Sequence, residues 1–129
     1  MNTSLNESPF LAKMHLTTGV ACMLHVPEDL KEICDLLPET VTGSHKLIKH
    51  PDFLLAFFTT TKDANAGLQN ISVAVHTKTK IWIAYPKAKQ LQTDLNRDIL
   101  RELCIQYGLE AVAIVSINET WSGLRVKLL

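Results

Sequence analysis

The sequence predicts an α/β domain with a three-layer architecture: a mostly parallel sheet, helices on both faces and a C-terminal antiparallel hairpin. Short apolar runs typical of buried strands alternate along the chain with segments whose apolar residues recur at helical spacing. Such alternation favours a parallel sheet that is covered by helices. The last apolar run is followed by residues that alternate between apolar and charged, the pattern of a strand with one solvated face.

The length and composition bound the class of protein. The chain has 129 residues, the length of one domain, and we expect residues 1–129 to form a single α/β domain. Apolar residues make up 47% of the chain and charged residues 20%, which excludes disorder, collagen and coiled coil. The longest wholly apolar stretch, residues 53–58, is far shorter than the roughly twenty residues of a membrane-spanning helix.

The first strand and helix are predicted near the N-terminus. Residues 20–26 are apolar apart from one histidine and predict a strand that is covered on both faces. Pro27 then stands where a helix begins, and Pro38 ends that helix. Four apolar residues between them recur at the spacing of one helical face: Leu30, Ile33, Cys34 and Leu37. Residues 41–48 carry a weak signal for a second strand.

Two further strands and helices occupy the middle of the chain. Strands are predicted over residues 53–59 and 80–85, and a helix from about Asp63 to His76 between them. The inward face of that helix would be Ala64, Leu68, Ile71 and Val75. Thr93 and Asp94 predict the start of a helix that ends at Tyr107, with Gly108 as the residue that follows it. Its inward face would be Leu95, Ile99, Leu103 and Cys104.

The last twenty residues predict the hairpin. Residues 111–117 are nearly all apolar, which favours a central strand, and residues 124–128 alternate and favour an edge strand. The connection over residues 118–123 is short enough for a hairpin. An exposed edge that carries Val126 and Leu128 could pair with a second copy of the chain, so a homodimer is a possible partner arrangement.

The turn after the first strand argues against a nucleotide-type cofactor. A dinucleotide or S-adenosylmethionine site needs a glycine-rich turn there, because the backbone must approach the ligand closely. This chain has no glycine between His25 and Asp29, its Pro27 lacks an N–H donor, and Glu28 adds negative charge. We therefore expect no cofactor of this kind.

The ends of the later strands supply the candidate ligand-binding rim. Its residues are Lys87, Thr93, Asp94, Arg97, Glu119, Trp121 and Ser122. In one interpretation they form a small polar pocket with an aromatic wall, a cation and hydroxyl groups. In the other, which is the commoner use of such residues, Thr93 caps a helix, Arg97 bonds Glu119 or Asp94, and Trp121 fills the end of the core.

Histidine and cysteine spacing gives no metal site. No two of the five histidines stand at the i, i+4 spacing that builds a zinc site, and the three cysteines form no Cys-x-x-Cys. The N-terminus has no signal-peptide pattern. We therefore expect a cytoplasmic protein with reduced, mostly buried thiols.

Charge is segregated along the chain although it sums to zero. Residues 1–40 hold two lysines and six acids, and residues 41–93 hold seven lysines and two acids. Lys78 and Lys80 belong to the second stretch. Because no aromatic residues are interleaved with these lysines, a solvated surface is favoured over RNA binding, and nucleic acid is an unlikely partner.

Three strings occur in a characteristic order: Trp82-x-Ala84-Tyr85-Pro86-Lys87, Thr93-Asp94-Leu95-x-Arg97-Asp98 and Glu119-Thr120-Trp121-Ser122-Gly123-Leu124-Arg125. Together they resemble an uncharacterised bacterial domain-of-unknown-function family, over residues 9 to 126. That family tends to have Asn where His25 stands and Asp where Asn118 stands. The resemblance implies a shortened class I methyltransferase-like Rossmann fold without the glycine loop of the cofactor site.

These observations predict a non-catalytic domain that binds a partner protein or a small polar ligand through the candidate rim. The alternative is a divergent small-molecule transferase that uses the same rim, with Asp94 or Glu119 as its base. A catalytic carboxylate should be partly buried and have a perturbed pKa. The surroundings of these two residues therefore distinguish the two hypotheses.

Overall fold

A computed structural model describes residues 19–28, 30, 41–87 and 93–129 of the chain. The strands are β1 (Gly19–Leu24), β2 (Val41–Ser44), β3 (Phe53–Phe57), β4 (Lys80–Pro86), β5 (Leu109–Ser116) and β6 (Trp121–Leu128). The helices are α1 (Thr61–Ala74) and α2 (Arg97–Gln106). Every strand predicted from the sequence is present, including the weakly signalled β2.

The strands form one mixed sheet in the order β2-β1-β3-β4-β6-β5. Strands β2, β1, β3 and β4 pair in parallel, whereas β6 is antiparallel to both β4 and β5. This arrangement confirms the predicted α/β class with a mostly parallel sheet and a C-terminal antiparallel hairpin.

The order of the two last strands is the reverse of the prediction. β6 lies inside the sheet and β5 forms the edge, so Val126 is paired on one side with Ile81 and on the other with Ala111. A second copy therefore cannot pair along β6, and the dimer contact suggested by Val126 and Leu128 is wrong. The exposed side chains of β5, with Val112 at 47% and Ile114 at 45%, agree with an edge position.

Both described helices cover the same face of the sheet. The predicted inward residues of α1 are all buried there: Ala64, Leu68, Ile71 and Val75. α2 contributes Leu100, Leu103 and Cys104 to the same cluster. Alternate residues of β3 point into this cluster, since Leu54 and Ala56 belong to it.

The opposite face of the sheet is buried as well. Phe53, Leu55 and Phe57 of β3 belong to a second apolar cluster with Met23, Trp82 and Trp121. Leu30 joins this cluster from a turn in which its N–H donates to the Pro27 carbonyl at 3.0 Å. The remainder of the helix predicted over residues 27–37 lies outside the described residues.

The helix ends follow local chemistry. Thr60 caps α1, because its hydroxyl accepts the Asp63 N–H at 3.1 Å. The predicted cap of α2 at Thr93 is wrong: Asn96 caps the helix and accepts the Ile99 N–H at 2.9 Å. Gly108 follows α2 with φ +77°, the left-handed conformation expected of that residue.

Candidate ligand-binding site

A cavity of about 320 Å³ opens where β4 ends, beside the first turn of α2 and the start of β6. We refer to it as the strand-end pocket. Its lining consists of Tyr85, Pro86, Lys87, Leu95, Asn96, Arg97, Asp98 and Ser122. The pocket therefore lies outside the carboxyl end of a sheet strand, where open α/β sheets bind ligands.

Strand register places three hydroxyl groups side by side at this end of the sheet. Tyr85 is paired with Ser122, and Ser122 is paired with Ser116 on the edge strand. The Tyr85 phenol hydrogen-bonds the Ser122 side chain. Burial raises the pKa of Tyr85, while the bond to Ser122 and the charge of Arg97 oppose the shift. The phenol is therefore neutral at physiological pH and can donate a hydrogen bond.

Three charged side chains surround these hydroxyl groups. The Lys87 Nζ donates to the Ser116 Oγ at 2.6 Å. The Arg97 Nε lies 3.4 Å from the Asp98 Oδ1, with the two side chains 55% and 80% exposed. An ion pair that is this exposed is weak, so an incoming anion can compete for the guanidinium group. The expected bond from Arg97 to Glu119 or Asp94 does not form; its partner is Asp98.

Thr93 and Asp94 lie away from the strand-end pocket and bind the start of α1. The Thr93 hydroxyl donates to the Thr59 carbonyl, and the Asp94 Oδ1 accepts the Thr61 N–H at 2.9 Å. The bond from this N–H lowers the pKa of the Asp94 carboxyl. The two residues therefore hold the loop before α2 against the neighbouring helix.

Trp121 belongs to the core rather than to a pocket wall. Its side chain is 4% exposed and meets the Phe57 ring edge-on, with the ring centroids 5.2 Å apart. Asn118 shapes the turn before it, because its Oδ1 accepts the N–H groups of Thr120 and Trp121. Glu119 is exposed in that turn. Of the seven rim residues, Lys87, Arg97 and Ser122 line the strand-end pocket.

Tyr85, Asn96 and Asp98 line the strand-end pocket but were absent from the predicted rim. Tyr85 and Asp98 stand in the strings that carry the family resemblance. Tyr85 also precedes Pro86 at the carboxyl end of a predicted strand, a position that is typical of ligand-binding residues in an open α/β sheet. The sequence does not single out Asn96 because Thr93 and Asp94, which are also common capping residues, stand three and two positions before it.

A second cavity, of about 360 Å³, lies between the ends of β1 and β3. From β1 the chain continues to β2 on one side of this cavity, and from β3 it continues to β4 on the other side. The direction of the strand order therefore reverses here, and the cavity lies at the switch point of the sheet. We refer to it as the switch-point crevice. Its lining includes His25, Phe58, Thr59, Asp63, Gly67 and Asn70.

The switch-point crevice is where this class of fold holds a nucleotide-type cofactor. The turn beside it does not fit such a group. His25 occupies the left-handed region at φ +57°, where other folds place glycine, and its ring lies 5.8 Å from the Phe58 ring. Val26 and Pro27 follow it, so side chains stand where a cofactor needs bare backbone.

The described part of the chain holds neither a metal-binding group nor a membrane-spanning helix. Within residues 19–28, 30, 41–87 and 93–129, no three His, Cys, Asp or Glu side chains come together as a metal-binding group. Over the same residues, no helix has the length and apolar character needed to cross a membrane.

Solved methyltransferase structures have a similar fold. Magnesium protoporphyrin IX methyltransferase from Synechocystis PCC 6803, with bound SAH, superimposes with a TM-score of 0.61 at 9% identity, over 93% of this chain and 78% of that one. A ribosomal protein L11 methylase from Lactobacillus delbrueckii subsp. bulgaricus gives a TM-score of 0.64 at 6% identity, over 99% of this chain and 80% of that one. LepI, in complex with SAM, gives a TM-score of 0.57 at 15% identity, over 92% of this chain and 38% of that one.

Sequence comparisons give no relative. No protein-family model matches the chain, and a search of curated proteins finds no match. The resemblance to the bacterial domain family therefore stays a prediction. At identities this low, the structural neighbours establish the fold alone: this chain has a methyltransferase-like α/β fold.

Proposed function

We propose that this chain is a non-catalytic domain of methyltransferase-like fold that binds a small anionic ligand in the strand-end pocket. The observation that carries the proposal is the convergence of two cations, Lys87 and Arg97, with the hydroxyl groups of Tyr85 and Ser122 around one cavity. A few polar groups that converge on a concave site are typical of small-molecule binding.

The chemistry of the lining favours a carboxylate or a phosphate ester. The guanidinium of Arg97 can bind two oxygens of such a group, and the Lys87 ammonium adds a second positive charge. The Tyr85 phenol and the Ser122 hydroxyl bond each other, which leaves one of the two O–H groups to donate to a ligand. Pro86 and Leu95 offer apolar surface for the rest of the ligand. A volume of about 320 Å³ suits a small metabolite.

The positions of the proposed bases favour binding over transfer chemistry. Asp94 is bonded to the N-terminus of α1, and Glu119 is exposed in the turn before β6. Neither lines the strand-end pocket. Asp98 is the acidic residue that lines the strand-end pocket, and its side chain is 80% exposed, unlike that of a desolvated general base.

A thermal-shift screen tests the proposal. The panel holds phosphorylated metabolites, small carboxylates, nucleotides, S-adenosylmethionine and its demethylated product. A ligand at one hundred times its dissociation constant stabilises the protein by about 2.7 kcal/mol, which raises the melting temperature by several degrees. We expect an anionic metabolite to give such a shift.

Two arginine variants locate the ligand. Arg97→Ala should abolish the shift, and Arg101→Ala, one turn further along α2 and outside the strand-end pocket, should keep it. A ligand whose shift survives Arg97→Ala and Ser122→Ala binds elsewhere and overturns the site. A shift by S-adenosylmethionine together with methyl transfer to any acceptor would overturn the non-catalytic assignment.

A further inference from the structure

A basic surface lies at the amino-terminal ends of β3 and β4, the opposite end of these strands from the strand-end pocket, where two loops run side by side. One loop leads into β3 and the other into β4. Their basic residues are Lys46, Lys49, His50, His76, Lys78 and Lys80, and we refer to this surface as the basic edge. The sequence separates its two halves by about thirty residues, so only the fold brings them together.

Hydrogen bonds clamp the two loops to each other. The His50 N–H donates to the Ala74 carbonyl at 2.6 Å, and the Thr79 hydroxyl donates to the Pro51 carbonyl at 2.7 Å. The Lys80 N–H donates to the Asp52 carbonyl at 3.0 Å. The rings of His50 and His76 meet edge-on, 5.1 Å apart. The backbone that carries the charges is therefore held in place before any partner binds.

The two segments of the basic edge contain no acidic residue, and Asp52 lies directly beside them. Neither residues 45–50 nor residues 76–80 include an Asp or a Glu. Asp52 is the acid that follows the first loop, and its carboxylate accepts the Val20 N–H at 2.8 Å. Lys46, Lys49 and Lys78 are exposed. The result is a concentrated positive field on a chain whose net charge is zero.

We propose that the basic edge, whose two halves only the fold brings together, binds the sugar–phosphate backbone of a nucleic-acid duplex without reading its sequence. This proposal revises the expectation from the sequence alone that nucleic acid is an unlikely partner. Lysines contact phosphates as point charges, whereas protein–protein interfaces are depleted in lysine and enriched in arginine and aromatic residues. The basic edge contains no arginine, so an acidic protein is the poorer fit. It also contains no Phe, Tyr or Trp on which single-stranded bases could stack, and its two histidine rings, His50 and His76, pack edge-on against each other. These features favour a duplex.

The number of lysines fixes the expected salt dependence. Three phosphate contacts, one for each of the exposed residues Lys46, Lys49 and Lys78, predict a slope of log affinity against log salt of about −2.7. Raising the salt from 50 to 200 mM should then weaken binding roughly fortyfold. Association through apolar surface would show no such loss.

Fluorescence anisotropy with a labelled 20-base-pair duplex tests the proposal. The competitors are a single strand of the same length and a polyglutamate peptide. We expect the full chain to bind the duplex at low salt with the slope given above. The Lys49→Glu/Lys78→Glu variant should lose at least tenfold in affinity.

The matched control is Lys62→Glu/Arg101→Glu, which makes the same change in net charge. Lys62 lies in the first turn of α1, at the other end of that helix from Ala74. An equal loss of affinity in the control would mean that net charge alone matters, and would overturn the assignment to the basic edge. Absence of duplex binding at low salt, or stronger binding of polyglutamate, would overturn the proposal itself. Melting temperatures of both variants show whether they are folded.

Discussion

The carboxylate of Asp94 accepts the N–H of Thr61 at 2.9 Å, so the loop before α2 caps the first residue of α1. The neighbouring Thr93 hydroxyl donates to the Thr59 carbonyl in the same place. This tie lies between the two cavities, because Thr59 lines the switch-point crevice and Leu95 lines the strand-end pocket. The loop before α2 therefore joins the walls of the two cavities.

The Asp94 contact predicts a pH-dependent contribution to stability. The hydrogen bond lowers the pKa of Asp94 in the folded chain, so its contribution is fully present above the unfolded-state pKa and is lost as pH falls through the folded value. We expect Asp94→Asn to lower the urea midpoint at pH 7, with the difference from wild type shrinking at pH 3. Asp98→Asn, the same change on an 80% exposed side chain, is the matched control. A pH-independent Asp94→Asn difference would contradict the prediction.

Trp121→Ala should destabilise the fold by about 3–5 kcal/mol, because it removes a buried indole and its edge-on contact with Phe57. The free energy of unfolding in urea measures the loss. Trp121→Phe keeps part of the apolar volume and should cost less. A loss below about 1 kcal/mol in the alanine variant would show that the ring is not part of the core.

Gly67→Ala should destabilise α1 even though alanine is the better helix former by about 1 kcal/mol. A Cβ at this position would come within 2.2 Å of the Phe58 ring, which is only 2% exposed. Crowding of a packed site typically costs about 1–3 kcal/mol. In a Phe58→Leu background the alanine should cost less, so a double-mutant cycle in urea measures the coupling. Stabilisation by Gly67→Ala alone would contradict the contact.

Cys104 should resist alkylation in the folded protein. Its side chain is fully buried, and burial raises the pKa of the thiol to about 12, so very little reactive thiolate exists at pH 8. Peptide mapping after iodoacetamide treatment should find Cys104 unmodified in buffer and modified in urea. Equal labelling rates under the two conditions would show that the thiol is accessible.

Most of the fold could be predicted from the sequence because apolar periodicity reports burial directly. The inward face of α1 and the strands β1, β3 and β4 follow from it. The order of the strands in the sheet does not follow from apolar periodicity, because an apolar run such as residues 111–117 is compatible with a central or an edge strand. Here β5 is the edge, with a register shift between Ala111 and Ala113 that interrupts regular pairing with β6.

The candidate site was harder to predict because its residues depend on contacts between distant segments. Thr93, Asp94 and Asn96 are all good capping residues, and only the positions of Thr59 and Thr61 decide which of them caps α2. Likewise, Tyr85 meets Ser122 through the register of an antiparallel pair. The sequence places both residues near strand ends, but it cannot specify their alignment.

The insertion of β6 between β4 and β5 has a consequence for how the protein is made. In the described sheet, β6 is the strand neighbour of β5, and β6 is synthesised after β5. The apolar strand β5 therefore has no pairing partner until residues 121–128 leave the ribosome. A premature stop codon before Trp121 would do more than shorten the sheet by one strand. It would detach β5 as well, and leave the edge of β4 open to aggregation.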